Sequence, residues 1–158
     1  MSSASLVLPG DVESDSRLWV PESPVPARSE PVGVQTPTHF VAPLWHTTAA
    51  DDAIDLAAVA GLDLLPWQQI VLRNALGEKH DRWAAFEVGL VVPRQNGKNV
   101  VIMARQLAGL FLFGEELQVH TSHRFKTTRA AHRDLVRLIE GVPDLKSEVQ
   151  AAPTSTEN

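Results

Sequence analysis

The residues best suited to chemistry lie in one short polar loop, Pro93-Arg94-Gln95-Asn96-Gly97-Lys98-Asn99. An apolar, β-branched run at residues 85–92 precedes this loop, and a long apolar segment follows it. Gly97 lets backbone N–H groups approach a phosphate closely, the start of a helix adds a partial positive charge, and Lys98 adds a mobile cation. A strand, a loop with Gly-Lys and a helix, in this order, are typical of a phosphate-binding P-loop.

The loop departs from the usual P-loop pattern, G-x-x-x-x-G-K-[ST], at two positions. Val92 stands where that pattern has glycine, and Asn99 stands where it has a hydroxyl that binds Mg²⁺. The side-chain carbonyl of Asn99 is a hard oxygen ligand, so Asn99 is the candidate metal ligand. With these two departures, the loop still predicts a site for ATP and Mg²⁺.

The elements that position this loop are predicted from hydrophobic periodicity and from helix start and stop signals. The predicted fold class is α/β: part of a P-loop NTPase parallel sheet, flanked by helices. We expect, in order, a helix over 51–61 capped by Asp51 or Asp52, a helix from Pro66 towards Gly77, a buried strand over 85–92, a buried helix over 99–113 ended by Gly114, a strand over 117–121, and a helix from Thr127 or Thr128 to Glu140.

Two glutamines, Gln68 and Gln69, stand near the start of the second predicted helix. They are interpreted in two ways. Either they are solvated surface residues, or one of them contacts an adenine ring, whose edge offers a donor and an acceptor that a glutamine amide can match.

The last predicted helix carries a basic stripe. Arg129, Arg133 and Arg137 recur at intervals of four residues, and Lys126 lies just before them. His120, His123 and Arg124 add further basic groups in the segment before this helix. The stripe is either an ordinary solvated face or a contact for nucleic acid or phosphate.

The chain has 158 residues, enough for one core of ordinary size, and no cysteine, which excludes disulfides. Seven of its eleven prolines fall within residues 1–45, and residues 1–60 hold eight acidic and two basic residues. We predict a disordered, acidic, Pro-rich arm over 1–50, the P-loop segment over 51–146 and an unstructured tail over 147–158. Trp19, Phe40 and Trp45 are interpreted in two ways: they are docking residues of the arm, or they are isolated aromatic residues with no specific contact. No apolar stretch is long enough to span a membrane.

With these residues in place, the chain resembles the N-terminal part of the ATPase domain of the phage terminase large subunit, the DNA-packaging motor. Three pieces over roughly residues 62–142 carry the resemblance. They are Leu65-Pro66-Trp67-Gln68, the loop Val92 to Asn99, and His120-Thr121-Ser122-His123-Arg124 with the helix that follows.

The resemblance implies roles for individual residues. Lys98 would hold the β- and γ-phosphates, Arg94 would stabilise the γ-phosphate, and these two would be the catalytic residues. Gln68 would meet the adenine, and Asn99 would stand at the metal. The remaining implied phosphate contacts are the loop backbone and the residues Gln95, Asn96 and Gly97.

The resemblance also implies partners and a setting: double-stranded DNA, a small terminase subunit, a portal or procapsid, and a phage-encoded protein in the host cytoplasm, with no membrane. The family's acidic pair and nuclease segment have no counterpart after residue 121. We therefore expect a fragment of the motor, which would need the remainder of the large subunit. The alternatives are a nucleotide- or DNA-binding module without turnover of its own, or an unrelated P-loop ATPase or kinase.

Overall fold

The computed structural model describes residues 33–149. Helix makes up 49% and strand 6% of the structure. In chain order the elements are β1 (Thr47–Thr48), α1 (Ala50–Val59), α2 (Pro66–Ala75), β2 (Gly77–Lys79), β3 (Arg82–Trp83), α3 (Lys98–Phe111), α4 (Phe125–Gly141) and α5 (Pro143–Glu148).

Helix α1 confirms the helix predicted over 51–61, including its stop signal. Gly61 has φ 82°, and this left-handed residue lets the Leu62 N–H donate to the Ala57 carbonyl at 2.8 Å. The predicted cap is wrong: no aspartate side chain caps the helix, and the Ala50 N–H donates to the Thr48 hydroxyl at 3.2 Å. The first turn thus takes its acceptor from the strand before it.

Helix α2 begins at Pro66, as predicted, because proline lacks the N–H that a first helical residue would leave unpaired. The helix was predicted to end at Gly77, but it ends earlier. The helix ends at Ala75, and Gly77 instead begins β2.

The small sheet is a feature that the sequence analysis missed. Its three strands lie in the order β1-β2-β3 and all pairs are antiparallel, with Glu78 opposite Trp83 in the hairpin. His80 and Asp81 join β2 to β3 with φ values of 54° and 57°, the positive values of a two-residue type I′ turn. The usual Asn-Gly signal for this turn is absent, so the sequence does not mark this hairpin.

The predicted parallel P-loop sheet is wrong. Residues 85–92 and 117–121 form no strand in the described structure, and most of their apolar residues are exposed, with Val91 at 99% and Leu117 at 81%. A strand buried on both faces needs neighbouring strands to complete its hydrogen bonds. Within residues 33–149, strand pairing occurs only in the small antiparallel sheet.

Helix α3 occupies almost the predicted range, and Gly114 follows its end with φ 61°. Its surroundings differ from the prediction, because α3 packs against α1, α2 and α4 instead of a parallel sheet. Ile102 and Leu110 are partly exposed, so the helix is not buried all round.

The core between α1, α2 and α3 is rich in alanine, which lets the helices approach closely. Its buried residues are Ala50, Ala53, Ala57, Leu64, Leu72, Leu76, Val101, Ala104 and Ala108.

A second apolar cluster joins α4 and α5 to the end of α3. The apolar spacing of the last helix predicts a core face of Ala131, Leu135, Leu138 and Ile139, and this face is confirmed at Leu135 and Ile139, which pack with Leu107 and Leu145. Helix α4 begins at Phe125, before the predicted threonine caps. Helix α5 was not predicted, and it includes the first two residues of the predicted unstructured tail. Residues 150–158 lie outside the described residues.

The three aromatic residues of the predicted arm have different environments. Trp45 lies against α2, where its indole N–H donates to Asn74 Oδ1 at 3.1 Å. Phe40 is 55% exposed, and Trp19 lies outside the described residues with the rest of 1–32. Of the described residues in the predicted arm, therefore, Ala50 belongs to the core, and Trp45 and strand β1 contact residues of α2 and β2.

No helix among residues 33–149 is both long and apolar enough to cross a membrane.

The contact of Trp45 with α2 predicts a stability difference between two aromatic substitutions. Trp45→Ala should lower the free energy of unfolding by about 2–3 kcal/mol, because it removes apolar packing and leaves Asn74 without its donor. Phe40→Ala, in the same segment but largely exposed, should change it by less than about 0.5 kcal/mol. Urea unfolding followed by circular dichroism measures both, and equal effects would contradict the docking of Trp45.

Candidate phosphate-binding loop

The loop at residues 93–97 leads from the extended segment 85–92 directly into α3. Gly97 is the residue before the helix and has a left-handed conformation, with φ 76° and ψ 19°. Gln95 also has positive φ, at 65°. Such values are costly for residues other than glycine, so the loop has a tight, specific backbone path.

The first turn of α3 supplies donors for an anion. Lys98 and Asn99 are its first two residues, and both are exposed. Val100 N–H donates to the Gly97 carbonyl at 3.0 Å, which closes the turn. The preceding N–H groups have no intrahelical acceptor and, together with the helix dipole, favour an anionic ligand at this end.

Two cations accompany these donors. Arg94 and Lys98 are both exposed, and neither forms an ion pair within the part of the chain that the structure describes. Both side chains are thus available to a ligand. An arginine can pair with two phosphate oxygens at once, and a lysine can follow a phosphate as a point charge.

Gln68 lies against this loop. Its side chain is only 3% exposed, so the surface alternative is wrong for this residue. Its Oε1 accepts a hydrogen bond from Leu65 N–H at 2.7 Å, and its Nε2 donates to the Gly97 carbonyl at 3.0 Å. The structure therefore brings together two of the sequence-predicted site residues, 29 positions apart. Gln69 does not reach the loop: its amide donates to the Leu64 carbonyl.

A cavity of about 590 Å³ adjoins the loop. Pro93 and Asn96 lie in its wall, together with Ala85 and residues 87–92 of the segment before the loop. The face of α2 that carries Trp67, Ile70, Val71 and Asn74 forms another wall, and residues 36–43 close a third side. Residues 36–43 were not predicted to line a site, because their prolines indicated a linker.

Asn99 is the candidate metal ligand beside the loop. Asn99 offers one carbonyl oxygen beside the loop, and among residues 33–149 no group of three or more His, Cys, Asp and Glu side chains could hold a metal ion. Mg²⁺ that arrives with a nucleotide is held mainly by phosphate oxygens and water, with one or two protein ligands. Asn99 fits that requirement as a single ligand.

The basic stripe lies on the exposed face of α4. Arg129, Arg133 and Arg137 are all exposed, whereas Leu135 and Ile139 point into the core. Arg137 approaches Asp134 on the same helix at 3.6 Å, with both side chains exposed. Exposed pairs of this kind contribute little, so all three arginines are accessible.

Comparison with protein-family models, with curated proteins and with solved structures gave no match.

The conformation of Gly97 predicts opposite effects for two glycine substitutions. Gly97→Ala should lower the free energy of unfolding by about 1–2 kcal/mol, because φ is positive and the new Cβ would lie 2.9 Å from Gln68 Nε2. Gly89→Ala, where a Cβ meets nothing within 4 Å, should leave it unchanged or raise it by up to about 1 kcal/mol. Urea unfolding of both variants measures this, and a harmless Gly97→Ala would contradict the loop geometry.

Proposed function

We propose that residues 93–99 bind the phosphates of ATP with its Mg²⁺, and that the chain is the nucleotide-binding segment of a DNA-packaging ATPase similar to the phage terminase large subunit. The observation that carries this proposal is the hydrogen bond between Gln68 and Gly97. It joins the segment 65–68 to the loop 92–99, which are two of the three pieces on which the resemblance depends. Their contact supports a single site built from both.

The phosphate chemistry of the proposed site divides between the loop and two side chains. The N–H groups at the start of α3 bind phosphate oxygens, and Lys98, the first residue of that helix, neutralises charge on the β- and γ-phosphates. Arg94 precedes the left-handed Gln95 and pairs with oxygens of the γ-phosphate. Asn99 would offer one oxygen to Mg²⁺, which would neutralise phosphate charge when the nucleotide is bound.

The proposed DNA contact is the exposed arginine face of α4. Three arginines spaced one turn apart along one helix suit a row of backbone phosphates, and counterion release would drive the binding. Such contacts go to the phosphate backbone and need no base sequence. Double-stranded DNA, the cargo of a packaging motor, is the proposed ligand of this face.

The proposed protein partner is the remainder of the large subunit. Phe86, Val91, Leu117 and Val119 are largely exposed on two segments that lie outside the small sheet. Segments that expose several large apolar side chains are candidates for a surface that another polypeptide covers. In the assembled motor we place a small terminase subunit and the procapsid portal as further partners, in the cytoplasm of the phage's host.

A binding role without turnover is the second candidate function, and it is supported by two acidic residues that already interact with arginines. Glu115 pairs with Arg105 through both carboxylate oxygens, at 2.5 and 3.0 Å, and Asp134 approaches Arg137 on α4. Hydrolysis needs a carboxylate that positions water at the γ-phosphate. The isolated chain is therefore expected to bind ATP without hydrolysing it. A phosphate-release assay that finds Lys98-dependent turnover would reject this candidate function.

The ATP site predicts a specific effect of Lys98. Lys98→Ala should weaken binding of a fluorescent ATP analogue by at least about tenfold, because a charge-assisted contact to phosphate is lost. The matched control is Lys79→Ala, which removes an exposed lysine from the β2–β3 hairpin and should leave binding unchanged. Equal affinities of the wild-type chain and Lys98→Ala would remove the site assignment.

The DNA contact predicts a change in salt dependence. Replacing Arg129, Arg133 and Arg137 together by alanine should weaken binding to double-stranded DNA of any sequence and reduce the slope of log affinity against log salt by about 2–3. Lys79→Ala with Arg82→Ala is the control, since it removes positive charge from the hairpin only. Fluorescence anisotropy over a salt series measures the slope, and an unchanged slope in the triple variant would place DNA elsewhere.

A further inference from the structure

We propose that Gln68 is a positioning residue for the phosphate-binding loop and does not read the adenine base. This inference rests on the proposed function and assigns to Gln68 a different role from the one that the family resemblance implies. Its basis is the set of contacts that the Gln68 side chain makes with the start of α2 and with Gly97.

Both ends of the Gln68 amide are engaged within the chain. The carbonyl oxygen accepts from Leu65 N–H at 2.7 Å, and the NH₂ group donates to the Gly97 carbonyl at 3.0 Å. The side chain is also almost fully buried. Pairing with the edge of adenine needs an exposed donor and acceptor on the same amide. Because Gln68 is almost fully buried, its amide would have to leave this position, and so lose both bonds, to present a donor and an acceptor to a base.

The bond to Gly97 sets the direction of a neighbouring donor. In a trans peptide the C=O and the following N–H lie in one rigid plane and point in opposite directions. Gln68 and Val100 N–H both hold the Gly97 carbonyl, each at 3.0 Å. The N–H of Lys98, in the same peptide plane, must therefore point away from Gln68. Gln68 thus orients one of the donors proposed to bind phosphate.

Gly97 also packs tightly against the amide. A Cβ at this position would lie 2.9 Å from Gln68 Nε2, closer than side chains normally approach. The left-handed Gly97 therefore has Gln68 on one side and the start of α3 on the other. The loop conformation depends on Gln68 in addition to its own backbone preferences.

The two roles predict different ligand dependence. A positioning residue acts on every ligand that uses the loop, whichever base it carries, including inorganic tripolyphosphate, which has none. An adenine reader acts on ATP alone. The comparison of ATP, GTP and tripolyphosphate therefore separates the roles.

The test is calorimetric titration of the full chain with these three ligands in the presence of Mg²⁺, for the wild type and for Gln68→Met. Methionine keeps the side-chain volume and removes both hydrogen bonds. We expect a loss of about tenfold in affinity, equal for all three ligands. The matched control is Gln118→Met, because the Gln118 amide also donates to a backbone carbonyl, that of Gln106 at 3.0 Å, at the other end of α3. This control should bind all three ligands as the wild type does.

A loss confined to ATP, with GTP and tripolyphosphate unaffected, would overturn the inference and restore adenine recognition. A wild-type chain that binds neither ATP nor tripolyphosphate would overturn the proposed function, and the inference with it. A second measurement needs no variant: in nuclear magnetic resonance spectra of the wild type, tripolyphosphate should shift the Gln68 side-chain NH₂ signals as ATP does. Signals that move with ATP and stay fixed with tripolyphosphate would also overturn the inference.

Discussion

The close packing of α3 against α1 and α2 is the constraint on which the rest of the structure depends. Alanines at the contact, among them Ala53, Ala57 and Ala104, are fully buried and let the helices come near enough to exclude water. This packing fixes where α3 begins relative to α2. Because Gln68 is on the first turn of α2 and Gly97 immediately precedes α3, their hydrogen bond exists only in this arrangement.

Helices α1 to α4 were predictable from the sequence because their signals are local, whereas the short helix α5 was not predicted. A proline marks the start of a helix at Pro66, and glycines with positive φ follow the helix ends at Gly61 and Gly114. The apolar spacing of α4 identifies its buried face. The sheet was not predictable in the same way. An apolar run such as 85–92 predicts burial but cannot identify what covers it, and the strands that do pair are only two or three residues long, too short for a periodic pattern.

The candidate site shows the same division between local and distant information. The position of Lys98 at the start of a helix followed from the loop sequence. The burial of Gln68 did not, because a glutamine near a helix start is usually exposed and its partner lies 29 residues away. Residues 36–43 of the cavity wall were missed for a related reason. Prolines disfavour helix, but an extended chain can still line a cavity without regular structure.

The contact between Trp45 and Gly77 has a consequence for how this sequence can vary. A Cβ on residue 77 would lie 2.6 Å from Trp45 Cγ, and the two residues are held together by β1–β2 pairing and by the bond from Trp45 to Asn74. Any larger residue at 77 therefore requires a smaller ring, or none, at 45. Across related chains these two positions should change together, as a compensating pair, while the exposed Phe40 varies freely.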